Sequence, residues 1–347
     1  MVEPTVVAPR GGPSPAVRLA VGALGIAVLV ALFWVLPGFV GTSWSDVGRL
    51  LRSLHPAALA GLTVVWAATL GAQTLVQSAA LPGLRKRDSL VLNLASSAVA
   101  SAVPLGGPVS LGLVWAMLRS WGFDRHHFSS YTLVTTVVTT VARLLAPVVA
   151  ALVLVLGGGL PHEADQFTVA AAIGLVLIGG AVAVVAAPPL RRRLANAPHH
   201  RRIGRLAREV DVAIGRSLSV IRDRWRGLTF GSLGLIALQY VLLLGCFAAT
   251  DAGVGPVLVL VAFGAGRLLS VVPITPGGLG VTEAGVGALL VALGADPSAT
   301  IASLLLFSLY VVVLEIPLGG VAVLLWRLHG ARPPVAPPTD PGPAATS

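Results

Sequence analysis

Four ionisable side chains lie inside long apolar stretches of this sequence: Arg143, Arg267, Glu283 and Glu315. A charge away from water is expensive, so such groups at membrane depth mark substrate paths, relays or ion pairs. Either arginine has the chemistry to hold an anionic head group, and either glutamate could supply countercharge or a proton. The plainer role is a pair of intramembrane ion pairs, Arg267 with Glu283 and Arg143 with Glu315, that hold helices together. Arg267 stands six residues before Pro273 and Glu283 three after Gly280, a depth difference of roughly 5 Å at 1.5 Å per helical residue. Glu283 also has a local role open to it, since a carboxylate in a first helical turn is favoured by the helix dipole.

Two Gly/Pro-rich runs join these groups as candidate binding elements. Pro104, Gly106 and Gly107 form one; Thr275, Gly277, Gly278 and Gly280 form the other. Backbone N–H groups at the starts of half-helices can bind a phosphate or carboxylate, although a simple turn between packed helices uses the same residues. Ser110, Thr275 and Thr282 add hydroxyls, which in helices often bond their own backbone. Gln73 and Gln77, one turn apart, are expected to bond a neighbouring helix.

The absences narrow the chemistry further. There is no G-x4-G-K-S/T loop, no H-E-x-x-H, no G-x-S-x-G and no intramembrane Asp pair, so no catalytic residues are assigned. His126-His127 and His199-His200 have no acidic or Cys partners at ligand spacing, and the single Cys246 excludes a Cys-based metal site. No metal and no cofactor is expected.

What must position the four charged residues follows from composition. The chain has 347 residues, 55% hydrophobic and only 11% charged, with 40 Gly and 25 Pro. A soluble domain carries about 25% charged residues, so a soluble globular enzyme is excluded and a lipid-embedded, all-α polytopic protein is expected. Apolar runs long enough to cross a bilayer occupy residues 19–40, 57–81, 130–156, 167–187, 228–250 and 301–326. Two further stretches, 89–118 and 254–294, are broken at Pro104–Pro108 and Pro273–Gly280. Proline lacks a donor and clashes with the preceding turn, so each is expected to be two half-helices joined by irregular backbone. Such backbone is tolerated at membrane depth only inside protein or along a wet cavity. Arg10 and Arg18 before the first run resemble a signal peptide, but the run is long for one and is read as a retained helix.

Charge placement sets the expected topology. Residues 188–227 hold 11 arginines against Glu209, Asp211 and Asp223, so most of the net charge of +10 lies in what reads as one loop. The positive-inside rule makes it cytoplasmic, touching anionic lipid rather than nucleic acid. Arg85-Lys86-Arg87 and both termini are assigned to the same side, with Arg49 and Arg52 left outside. These placements agree only if each broken stretch enters and leaves on one face. The expected architecture is six full transmembrane helices plus two re-entrant helical hairpins, eight apolar segments in all, arranged as an inverted repeat. The matched segments Ser101–Pro104 with Ser270–Pro273, and Gly122-Phe123-Asp124 with Gly294-Ala295-Asp296, support it, as do Arg143 and Glu315, each 21 residues beyond its glycine. Residues 17–328 form one membrane domain, with repeats at about 17–156 and 167–328. Residues 1–16 and the Pro-rich 329–347 are expected to be disordered.

The run Pro273-Ile274-Thr275-Pro276-Gly277-Gly278-Leu279-Gly280-Val281-Thr282-Glu283, followed by Gly287 and Gly294, resembles the signature of the lysylphosphatidylglycerol synthase transmembrane (flippase-like) family. Ser101 to Pro104 with Gly106, Gly107 and Arg119 resembles its upstream counterpart, and Val141-Ala142-Arg143 falls where the family has an arginine-bearing helix. The resemblance covers about residues 20–328. It implies movement of an aminoacylated phospholipid between leaflets, as in the bifunctional multiple-peptide-resistance proteins. With the charge placement, the expectation is a bacterial inner-membrane protein, both termini cytoplasmic, that moves a phospholipid or polyprenyl-linked lipid. A basic residue frequent in the family near Phe307-Ser308 is absent, and Glu315 stands in that helix instead. With a Pro-rich tail where the bifunctional relatives carry an aminoacyltransferase, the chain is expected to act as a stand-alone member that does not itself make lysylphosphatidylglycerol. The alternatives are a membrane scaffold or partner subunit for a glycosyltransferase or lipid-modifying enzyme, and a membrane-embedded transferase; a homodimer or a partner membrane enzyme is the expected association.

Overall fold

In the computed structural model the described residues are 44–102, 106–156, 201–270 and 280–329. The first and fourth expected spans, both tails, Pro104, Thr275, Gly277 and Gly278 lie outside them. Every element among the described residues is helical: α1 (Trp44–Arg52), α2 (Pro56–Ala80), α3 (Lys86–Ala102), α4 (Gly106–Ser120), α5 (Arg125–Leu156), α6 (Arg201–Ala249), α7 (Pro256–Leu269), α8 (Val281–Ala292), α9 (Pro297–Ser308), a π-helical turn (Leu309–Val313) and α10 (Glu315–His329).

Four stretches are long and apolar enough to cross a membrane: Pro56–Ala80, Arg125–Leu154, Ile214–Ala249 and Pro297–Leu328. They coincide with four of the six apolar runs in the sequence, and the chain is a multi-pass membrane protein. The two broken stretches behave differently. Helices α3 and α4 have 17 and 15 residues, and α7 and α8 have 14 and 12. Each is shorter than the ~20 residues that a bilayer crossing takes. Within each stretch the two halves pack on one another, α3 on α4 and α7 on α8.

Two expectations need correction. The arginine-rich segment is not a loop throughout, because from Arg201 onward it is helix α6, which runs on into the span with a kink at Arg224. Its charges fall on a helix that leaves the apolar layer, which periodicity alone did not separate from a loop. The final span is longer than residues 301–326 and is not one regular helix. Its middle is the π turn at Leu309–Val313, directly before Glu315. Helix α1 was not anticipated from hydropathy; its apolar side chain Leu51 packs beneath α9.

Local chemistry explains the ends. His55 accepts the Ala57 N–H through Nδ1 (3.2 Å) ahead of Pro56 at the first position of α2, where a missing N–H costs nothing. The turn after α4 and the turn after α8 share one design. Gly122 (φ 87°) and Gly294 (φ 93°) adopt left-handed backbone, which favours glycine. Phe123 N–H then reaches back to Leu118 O (3.0 Å), and Ala295 N–H to Leu290 O (3.0 Å). One residue later Asp124 accepts the His127 N–H (2.8 Å) and Asp296 the Ala299 N–H (2.8 Å), starting α5 and α9.

Packing is reciprocal. Helix α2 lies along α6; α10 packs on α3 of the first broken stretch, while α5 packs on α7 of the second. Glycine permits the closest of these approaches. A Cβ on Gly319 of α10 would overlap Ala98 and the Leu94 carbonyl of α3, and one on Gly264 of α7 would fall 2.9 Å from Pro147 Cα of α5. Gly227 and Gly231, four apart on α6, sit against Ala79 and Val76 of α2, the small-residue seam expected where lipid supplies no hydrophobic drive.

Candidate functional site

The close contact of α5 with α7 through Gly264 brings two arginines to one cavity. Arg143 on α5 and Arg267 in the last turn of α7 both line a space of about 250 Å³ bounded by helices α2 to α7. The two guanidinium groups are near enough to repel one another. Arg267 donates from Nη2 to Gln239 Oε1 of α6 at 2.6 Å, and its guanidinium stands 4.6 Å from the Phe263 ring centroid, a cation–π contact. Neither arginine has a carboxylate partner among the described residues, and no carboxylate lines the cavity.

The rest of the lining is polar. Gln73 and Gln77 reach it from α2, and both hydrogen-bond Asn93 of α3: Asn93 Nδ2 donates to Gln73 Oε1 (2.7 Å) and Gln77 Nε2 donates to Asn93 Oδ1 (2.7 Å). The expected interhelical bonding of the two glutamines is thus present, with Asn93 as the bridge. Thr132, Thr135, Thr136 and Thr139 present hydroxyls from α5, and Ser232 presents one from α6. Three buried polar atoms on this wall have no hydrogen-bond partner: Gln77 Oε1, Thr132 Oγ1 and Ser232 Oγ. A buried polar atom left unpaired costs about 1–3 kcal/mol, so a cluster of them around two cations marks a place built for a polar guest.

The carboxylates are arranged otherwise. Glu283 is buried, and each of its oxygens is engaged. Oε2 accepts the Gly280 N–H at 2.6 Å and Oε1 accepts the Ser308 hydroxyl at 2.5 Å. Gly280 has φ 82° and precedes α8 as its N-cap, and Glu283 at the third position supplies the half of a capping box in which the carboxylate takes the N-cap N–H. Glu283 does share a smaller pocket of about 130 Å³ with Arg267, Ser270, Thr282 and Ser308, yet no ion pair joins the two. Glu315, also buried, receives a hydrogen bond from Ser97 of α3 and lines neither cavity. Gly106 opens α4 tightly against Ala100, whereas a Cβ on Gly107 would meet nothing.

Sequence inspection missed Gln239, Asn93 and Ser232. A signal for the threonines was present: residues 132, 135, 136 and 139 follow the spacing of one helical face and lead to Arg143 one turn on.

His127 lies in the first turn of α5. Partial burial raises the Asp124 carboxyl, but hydrogen bonds from the His127 backbone and ring and its nearby charge outweigh that and hold it below the ordinary carboxylate range; the His127 Nδ1–Asp124 Oδ1 distance is 2.8 Å.

A family model described as "Lysylphosphatidylglycerol synthase TM region" matches residues 22–319. No curated protein matches the chain. The match spans well over half of the sequence, and the chain belongs to that family.

Proposed function

We propose that this family member is a lipid translocase that carries a phospholipid or lipid-linked anionic substrate between leaflets, without catalysing a reaction on it. The observation that carries this reading is the cavity with Arg143 and Arg267: two cations, no carboxylate on the described lining, and three unpaired buried polar atoms. A phosphate head group supplies the missing charge and hydrogen bonds, while its acyl chains stay in lipid.

The packing supports alternating exposure. Each broken stretch lies against the last span of the other half, α3 on α10 and α7 on α5, and the turns after α4 and α8 share one hydrogen-bond pattern. In our reading these are the halves of an inverted repeat whose hairpins enter from opposite faces of a bacterial inner membrane, both termini cytoplasmic. Rocking one half against the other exposes the arginines to each leaflet in turn.

The test is dithionite quenching of fluorescent phosphatidylglycerol in proteoliposomes. The protein is expected to speed exchange over protein-free vesicles, and Arg143→Ala with Arg267→Ala to abolish it. Exchange at the protein-free rate, or an unaffected double variant, overturns the proposal.

A further inference from the structure

Four of the hydroxyls around the two arginines have already committed their protons. Thr135 Oγ1 donates to Tyr131 O (2.8 Å), Thr139 Oγ1 to Thr135 O (2.7 Å), Ser96 Oγ to Asn93 O (3.0 Å) and Ser110 Oγ to Gly107 O (3.0 Å). All four line the cavity. A hydroxyl bonded back to its own helix offers a guest only its lone pairs. Gln77 Oε1, an amide oxygen with no partner, is one more acceptor on the same wall. The cavity therefore combines two kinds of chemistry: fixed positive charge from Arg143 and Arg267, and neutral groups most of which offer only lone pairs, with the unpartnered hydroxyls of Thr132 and Ser232 beside them. The first suits a phosphate. The second suits neutral hydroxyl donors.

We infer that the ligand is a lipid phosphodiester with an uncharged, hydroxyl-bearing head group, glycerol- or sugar-like, and that aminoacylated lipids are rejected. This rests on the translocation reading above and names its substrate class. A lysyl ester adds two ammonium groups to one phosphate, so that lipid arrives with net positive charge. Two arginines already repel one another here, and among the described lining residues no carboxylate offsets a third and fourth cation. A zwitterionic ethanolamine head is disfavoured for the same reason, to a smaller degree. A glycerol or sugar head adds no charge and matches the acceptors.

The test runs fluorescent phosphatidylglycerol, phosphatidylinositol, a polyprenyl-phosphoryl sugar, lysylphosphatidylglycerol and phosphatidylethanolamine through the same proteoliposome assay with the unaltered protein. At least one hydroxyl-headed lipid is expected to move at least about tenfold faster than either amine-bearing lipid, a margin in keeping with like-charge juxtaposition. Which of the three moves fastest tells a glycerophospholipid from a polyprenyl-linked source; either supports the inference. Thr136→Asp, which puts a carboxylate on the lining, should narrow the gap between lysylphosphatidylglycerol and phosphatidylglycerol. Movement of an amine-bearing lipid as fast as the hydroxyl-headed ones overturns the inference while leaving translocation standing. No lipid moving faster than in protein-free vesicles overturns the translocation reading itself.

Discussion

The two arginines and the two glutamates inside the apolar stretches share the same rarity, yet the molecule treats them in opposite ways. Glu283 has both oxygens occupied from within the protein, by Gly280 N–H and Ser308, and Glu315 is tied to Ser97. Arg143 and Arg267 share a cavity with no carboxylate among its described lining residues, beside three unpaired polar atoms. An ionisable group whose bonds close on its own chain is organised for the fold. One whose charge stays open is organised for something that arrives.

The largest expected effect separates these regions most sharply. Replacing Arg143 and Arg267 together by alanine removes two charge-assisted contacts to a phosphate, each worth about 1.5–3 kcal/mol, so translocation should fall by about 100-fold or more. Thermal stability should fall far less, because relief of the repulsion between two like charges offsets loss of the Arg267 contacts with Gln239 and Phe263. A double variant that loses stability and keeps its transport rate would break the distinction.

Glu283→Ala should do the reverse. It removes the cap of α8 and the tie to Ser308, a loss of about 1–3 kcal/mol, which lowers the melting temperature by about 2–4 °C per kcal/mol in a chain of this size. Transport per folded molecule should drop far less than in the arginine double variant. A smaller change is expected for Ser97→Ala, which withdraws one hydrogen bond from Glu315 and should lower stability by about 1 kcal/mol. Both are read by thermal unfolding in detergent with transport measured alongside.

These contrasts bear on what could be read from residues alone. Span positions followed from the length of apolar runs, so α2, α5 and the apolar end of α6 lie where hydropathy puts them. The first-turn place of Glu283 agrees with the helix dipole, whereas Gly106 to Pro108, expected inside a break, are the first turn of α4; Pro104 and residues 273–279 lie outside the described residues. The meeting of Arg143 with Arg267 was not legible, since it depends on α5 and α7 touching where Gly264 faces Pro147, a contact between positions more than a hundred residues apart. Gln239 and Ser308 were missed for the same reason: a lone amide or hydroxyl in an apolar run has no local sign of its partner. The arginine-rich helix before Gly227 was mistaken for a loop because charge hid its periodicity.

The smallest effect lies outside the membrane and serves as a control. The Asp124 carboxyl is held below its ordinary value, so its contribution to stability is present above the unfolded-state value near about pH 4 and is lost as pH falls through the folded value. Asp124→Asn should therefore be slightly less stable than the unaltered protein at neutral pH, with the difference vanishing in acid, and should transport normally. Asp124 is largely exposed, so the effect is small.

Native mass spectrometry of purified protein offered phosphatidylglycerol tests the central claim most directly. The unaltered protein and Glu283→Gln should both retain bound lipid, and Arg143→Gln with Arg267→Gln should lose it. Equal retention by the double-arginine variant, or loss confined to Glu283→Gln, would contradict the account.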